Sequence, residues 1–125
     1  MTRINIVPVQ ELCDKHLLAE YRELPSVFAL ARPCPDAPKE YTLGKGHVKF
    51  FYDKLGYLLH RSNLIAEECN RRGFDIQWSD GFEADITTVT SWMFLGLLRG
   101  YTPTPEAIAL NRARIAERIS QFKRK

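Results

Sequence analysis

Cysteine is scarce in this chain. Cys13, Cys34 and Cys69 form an odd, widely spaced set, which argues against a disulfide framework and for a reducing compartment. No CxxC pair or close Cys/His cluster offers metal-ligand spacing, so no metal and no cofactor are expected. Apolar runs are short, and none approaches the roughly 20 residues that cross a bilayer. The opening Met-Thr-Arg-Ile-Asn has no apolar signal core; a cytoplasmic protein without a membrane partner is expected. Glycine-rich phosphate loops are missing as well. Gly44-Lys45-Gly46 brackets a lysine, but the GxxxxGK[ST] spacing is not there and the stretch reads as a flexible turn. Charge of one sign is also in short supply. Eighteen Lys and Arg stand against 15 Asp and Glu, a net +3, which suggests an anionic partner without demanding one. No internal repeat or low-complexity stretch appears.

What is present suits one soluble globular domain: 125 residues, 45% hydrophobic and 26% charged, long enough to bury a core without staples. Residues 1–9 read as an extended arm. Gln10 or Asp14 opens a first helix that reaches about Ala31, with Pro25 inside it as a source of a kink. Leu17, Tyr21, Leu24 and Phe28 recur at steps of four, three and four, the spacing of a buried helical face. Residues 32–43 hold three prolines and read as a loop. A second helix is expected from His47 to about Arg72, burying Val48, Phe51, Tyr52, Leu55, Leu59 and Ile65 and stopped by Gly73. Residues 74–103 carry many apolar groups, Trp78, Phe82, Ile86, Val89, Trp92, Met93 and Phe94 among them. They balance between strand and helix, and read as core or an oligomer contact. Thr104-Pro105-Glu106 is a helix start, and the third helix runs to about Phe122, burying Ile108, Ile115, Ile119 and Phe122. From 104 to 125 six basic residues face two acids, and Arg114 and Arg118 share a flank with Lys125, a candidate phosphate-contacting surface.

Two features carry chemistry. On the first helix, His16 and Glu23 flank one side of a strip whose other side holds Lys15 and Arg22, with only the small Ala19 and Ser26 between them. Such a strip admits another backbone or a substrate. At the N-terminus, Thr2 is small enough that a preceding initiator methionine is normally removed. A free α-amine there titrates near 7.7–8.0, against about 10.4 for lysine. A sizeable share is therefore uncharged at neutral pH and is a ready nucleophile for Schiff-base formation beside a carboxylate.

In combination, MTRIN at the start, HLLAEYRELP at 16–25, LGKGHVKFFYDKL at 43–55 and NLIAEECNRRGF at 63–74 closely resemble the pyrimidine-dimer DNA glycosylases, the phage-type endonuclease V family. GYTPTPEAIALNRARIAERISQ at 100–121 continues the likeness more faintly. The resemblance implies an all-α fold, a single domain over residues 1–125 with three main helices and an N-terminal arm threaded between them. It implies a monomeric DNA-repair glycosylase with AP lyase activity on cyclobutane pyrimidine dimers in duplex DNA, needing no cofactor. The Thr2 α-amine would be the nucleophile, Glu23 the catalytic carboxylate and Arg22 a phosphate-binding neighbour. Arg3 and His16 would line the site, and Arg114 and Arg118 would contact phosphates; Lys15, on the strip beside them, is a further candidate DNA contact. The chain departs from the family's pattern at Ser26, where an arginine is usual, in the short proline-rich 32–43 loop, and in ending at FKRK without an aromatic tail. Those departures bear on lesion preference. Two other readings are compatible with the residues: the same amine chemistry on abasic or oxidised-base lesions, and a helical DNA-binding protein without catalysis.

Overall fold

The computed structural model describes residues 4–77 and 82–123; Thr2, Arg3, Trp78, Arg124 and Lys125 lie outside them. The described residues form an all-helical domain: α1 (Asp14–Leu30), α2 (His47–Phe50), α3 (Leu55–Arg71), α4 (Ile86–Phe94) and α5 (Pro105–Lys123). A 3-10 turn at Val9–Glu11 closes the N-terminal arm. Of the two expected starts for the first helix, Asp14 is the one used, and Pro25 sits inside a helix that continues to Leu30.

The buried side of α1 is Leu17, Glu20, Leu24, Val27 and Phe28. Tyr21, expected there, is only partly covered, and Glu20 takes the inward place. The same arrangement recurs on the other long helices. Arg61 lies between Leu58 and Ile65, and Asn111 between Ile108 and Ile115, each three residues after one apolar side chain and four before the next. Each long helix thus places a polar residue at an apolar step of its buried face, Glu20, Arg61 and Asn111 in turn; α3 also buries Ser62 and Glu68.

The second helix is not continuous, contrary to the expected His47–Arg72 span. It breaks at Phe51–Lys54 between α2 and α3, although the apolar period runs straight through. The break lets the start of α3 pair with a segment distant in sequence. Leu55 and Tyr57 donate their amides to Leu97 and Arg99 carbonyls (2.9 and 3.1 Å), and Lys54 bridges Leu98 in antiparallel fashion. Gly56 lies at the closest approach, where a Cβ would fall 2.9 Å from the Arg99 carbonyl oxygen. At the far end α3 finishes at Arg71 as expected, with Gly73 at φ +82° just beyond.

Between strand and helix, the segment around 86–94 resolves as helix. Asp85 caps it by accepting the Thr88 amide at 2.8 Å, a cap worth on the order of 1 kcal/mol that outweighs the β-branched Thr87-Thr88-Val89-Thr90 run. Trp92 and Leu97 enter the core and Trp92 stacks on Phe28 at 5.6 Å, while Ile86, Met93, Phe94 and Leu95 are exposed. The start of α5 is as read: Thr104 Oγ1 accepts the Ala107 amide at 3.1 Å.

Candidate active site

A cavity of about 400 Å³ opens between α1 and α5. It is lined by Lys15, His16, Ala19, Arg22 and Glu23 on one wall, and by Arg114, Ile115, Arg118 and Phe122 on the other. Asn5 and Glu20 complete its lining. Six residues picked out from sequence therefore meet in one place: Lys15, His16, Arg22, Glu23, Arg114 and Arg118. The small strip is present at Ala19; Ser26, two turns further along, is exposed and outside the lining. Thr2 and Arg3 fall outside the described residues.

The electrostatics favour an anion. Lys15, Arg22, Arg114 and Arg118 face Glu23 and Glu20, and the Glu20 charge is already matched by Arg61 at 2.5 Å. The Nε atoms of Arg114 and Arg118 and Nδ1 of His16 are buried and have no hydrogen-bond partner among the described residues. The two guanidinium nitrogens are thus left as donors on residues that line the cavity. Burial, together with the Lys15 and Arg118 cations, holds the His16 imidazole below the usual histidine range, so it is neutral near pH 7. Phe122 is the aromatic wall. The His16 ring packs against it at 5.4 Å, and the Lys15 ammonium sits 4.0 Å from its centroid.

The arm enters beside this cavity and is buried over Ile4–Val7. Extended chain in an interior needs partners for its amides and carbonyls, and inward polar residues supply them for the four amides of Ile4–Val7 and for the Val7 carbonyl. Asn5 donates both its backbone amide and its Nδ2 to Glu20 Oε1 (3.2 and 3.0 Å). Asn111 Oδ1 accepts from the Ile6 and Val7 amides (2.7 and 3.2 Å), and its Nδ2 donates to Asn5 Oδ1 at 2.9 Å. Arg61 donates to Glu20 through Nε and Nη2 and to the Val7 carbonyl through Nη1 at 2.8 Å. The Ile4 amide donates to His47 Nε2 at 3.1 Å. That bond requires the tautomer with Nδ1 protonated, which donates to the Thr42 carbonyl at 2.8 Å. Burial keeps His47 neutral and below the usual range.

Sequence reading had not picked out Asn5, Glu20, His47, Arg61 or Asn111 as parts of the site. The available signal was the polar residue embedded at an apolar step of each long helix, a place where a charge or amide needs a partner. Among the described residues no cluster of His, Cys, Asp and Glu could hold a metal ion, and no helix is long and apolar enough to cross a membrane.

Compared with known protein families, residues 1–80 match the family described as pyrimidine dimer DNA glycosylase. The matched stretch includes the arm, α1, α2 and α3, and with them Lys15, His16, Arg22 and Glu23. The opposite wall of the cavity, on α5, lies beyond it.

Proposed function

This chain belongs to the pyrimidine dimer DNA glycosylase family, enzymes of DNA repair, and from that premise we propose that it is a glycosylase and AP lyase working through an imine on its own N-terminus. With Met1 removed, the uncharged Thr2 α-amine attacks C1′ of the 5′ nucleotide of a cyclobutane dimer. The glycosidic C1′–N bond breaks and the base leaves with its electron pair. The amine nitrogen loses a proton, the sugar ring opens at O4′, and a C1′ imine remains. The imine acidifies the C2′ proton; its removal forms the C2′–C3′ double bond and expels the 3′ phosphate. Water then releases Thr2. Glu23 stabilises the cationic sugar and moves protons at the amine and at C2′. Arg22, Arg114 and Arg118, with Lys15, Arg3 and His16, hold the phosphates and sugar.

The observation that carries this reading is the cavity itself: the carboxylates of Glu20 and Glu23, a neutral imidazole and four cations around one opening, with Asn5 of the arm in its lining. Thr2 precedes the fixed Ile4 by two residues, and two residues of extended chain span at most about 7 Å. That limits how far the α-amine can lie from the arm, whose Asn5 lines the opening.

Borohydride trapping on ultraviolet-irradiated and on abasic duplex DNA tests the proposal, with the N-terminal residue checked by mass spectrometry. A covalent adduct is expected with both substrates. An adduct with abasic DNA alone would remove the dimer-glycosylase step and leave the lyase. No adduct from a chain that begins at Thr2 would remove the imine altogether.

A further inference from the structure

The interior holds a closed hydrogen-bonded circuit that the reaction chemistry does not itself use. From Asn111 it passes to Asn5, from Asn5 to Glu20, from Glu20 to Arg61, and from Arg61 to the Val7 carbonyl. It returns to Asn111 through the Val7 and Ile6 amides. The acceptor role of Asn111 Oδ1 towards two amides fixes its amide orientation, and so makes Nδ2 the donor to Asn5. Asn111 is fully buried, and it lies one turn before Arg114 and Ile115 on the wall of the cavity. Glu20 makes the matching attachment on α1, the helix that carries Arg22 and Glu23.

We infer that Asn111 is a positioning residue for the N-terminal nucleophile. By holding Ile6 and Val7 to α5 while Glu20 holds Asn5 to α1, it aims the arm along the opening between the two helices. The first residues then approach the sugar from a constrained direction. The inference rests on the amine chemistry proposed above. Asn111 never contacts substrate. It acts on how often the amine lies in an attacking geometry, and a displacement of about 1 Å can cost roughly 100-fold in rate.

Two variants test it. Asn111→Leu keeps the branched shape and heavy-atom count of the side chain and removes the acceptor for two amides and the donor to Asn5. Single-turnover trapping on abasic duplex at saturating enzyme should slow by roughly tenfold or more, with duplex affinity and far-UV helicity close to wild type. Asn111→Asp keeps an acceptor oxygen, and its carboxyl can donate to Asn5 Oδ1 only when protonated. The charged groups in the same circuit are Glu20 of α1 and Arg61 of α3; no other charged side chain enters it among the described residues. The ratio of variant to wild-type trapping rate should therefore approach one at acid pH and fall as pH rises. This second variant decides the matter if Asn111→Leu does not fold. A folded Asn111→Leu that traps at the wild-type rate, or an Asn111→Asp ratio flat with pH, would overturn the inference while leaving the imine chemistry intact. A wild type that forms no adduct overturns both, and the absence of any adduct in the control tells the two failures apart.

Discussion

Glu20 and Glu23 sit three positions apart on one helix, and their surroundings give them separate tasks. Glu20 is enclosed, paired with Arg61 and accepting two bonds from Asn5. Its charge serves the fold, and removing one partner of such a pair costs about 3–5 kcal/mol. Glu23 is half-buried on the cavity wall beside Arg22 and is the carboxylate proposed to act on the substrate. Glu23→Gln removes a proton acceptor without changing shape. It should fold and bind dimer-containing duplex like the wild type, and lose roughly 100- to 10,000-fold in glycosylase turnover, the usual contribution of a general acid or base. Steady-state kinetics on irradiated DNA, beside a binding isotherm, would decide it; wild-type turnover would strip Glu23 of the assigned role. Sequence distinguished the two carboxylates only in part. The place of Glu23 on the cavity wall was legible because it shares a flank with His16, opposite Lys15 and Arg22. Glu20, Arg61 and Asn111 were not, because a single polar residue on an apolar face looks like an interruption until its partners on other helices are known.

At the scale of elements, local signals were read correctly where they were self-contained and failed where a distant segment intervened. The Thr104-Pro105-Glu106 start of α5 is satisfied by its own first turn, and Gly73 closes α3 through its own positive φ. The break between α2 and α3 has no local cause. Phe51, Tyr52 and Leu55 keep the helical period and are all buried, yet the backbone gives up the helix there to bond with residues 97–99. Gly56 permits that approach. Ala has the higher helix propensity by about 1 kcal/mol, which would favour Gly56→Ala on an isolated helix. Here the added methyl would meet a backbone oxygen at 2.9 Å, and overpacking against backbone costs about 1–3 kcal/mol. Gly56→Ala should therefore destabilise the protein by up to about 2 kcal/mol net of the propensity gain, seen as a lower urea midpoint at unchanged slope. A variant as stable as wild type would mean the 97–99 segment moves aside freely.

Over the whole molecule, charge is sorted by depth. The polar interior around the arm is close to neutral, since Glu20 is balanced by Arg61 and the remaining members are amides and backbone. The excess of cations is at the cavity, where Lys15 and Arg22 of α1 face Arg114 and Arg118 of α5. A net charge of +3 understates this, because the excess is gathered on the face proposed to meet DNA. Binding should then be governed by counterion release, and each phosphate left without its cation should reduce the slope of log K against log salt by about 0.9. For the double variant Arg114→Ala/Arg118→Ala, weaker binding to damaged and undamaged duplex alike is expected, with a salt slope shallower by nearly 2. The trapping rate at saturating enzyme should fall less than the affinity does, because neither arginine belongs to the circuit that holds the arm. That pattern is the reverse of the one expected for Asn111→Leu, so the two variants separate affinity from aim. A slope unchanged by removal of both arginines would place the phosphate-binding groups elsewhere on the molecule. The cavity would then be a site for the sugar and the nucleophile alone.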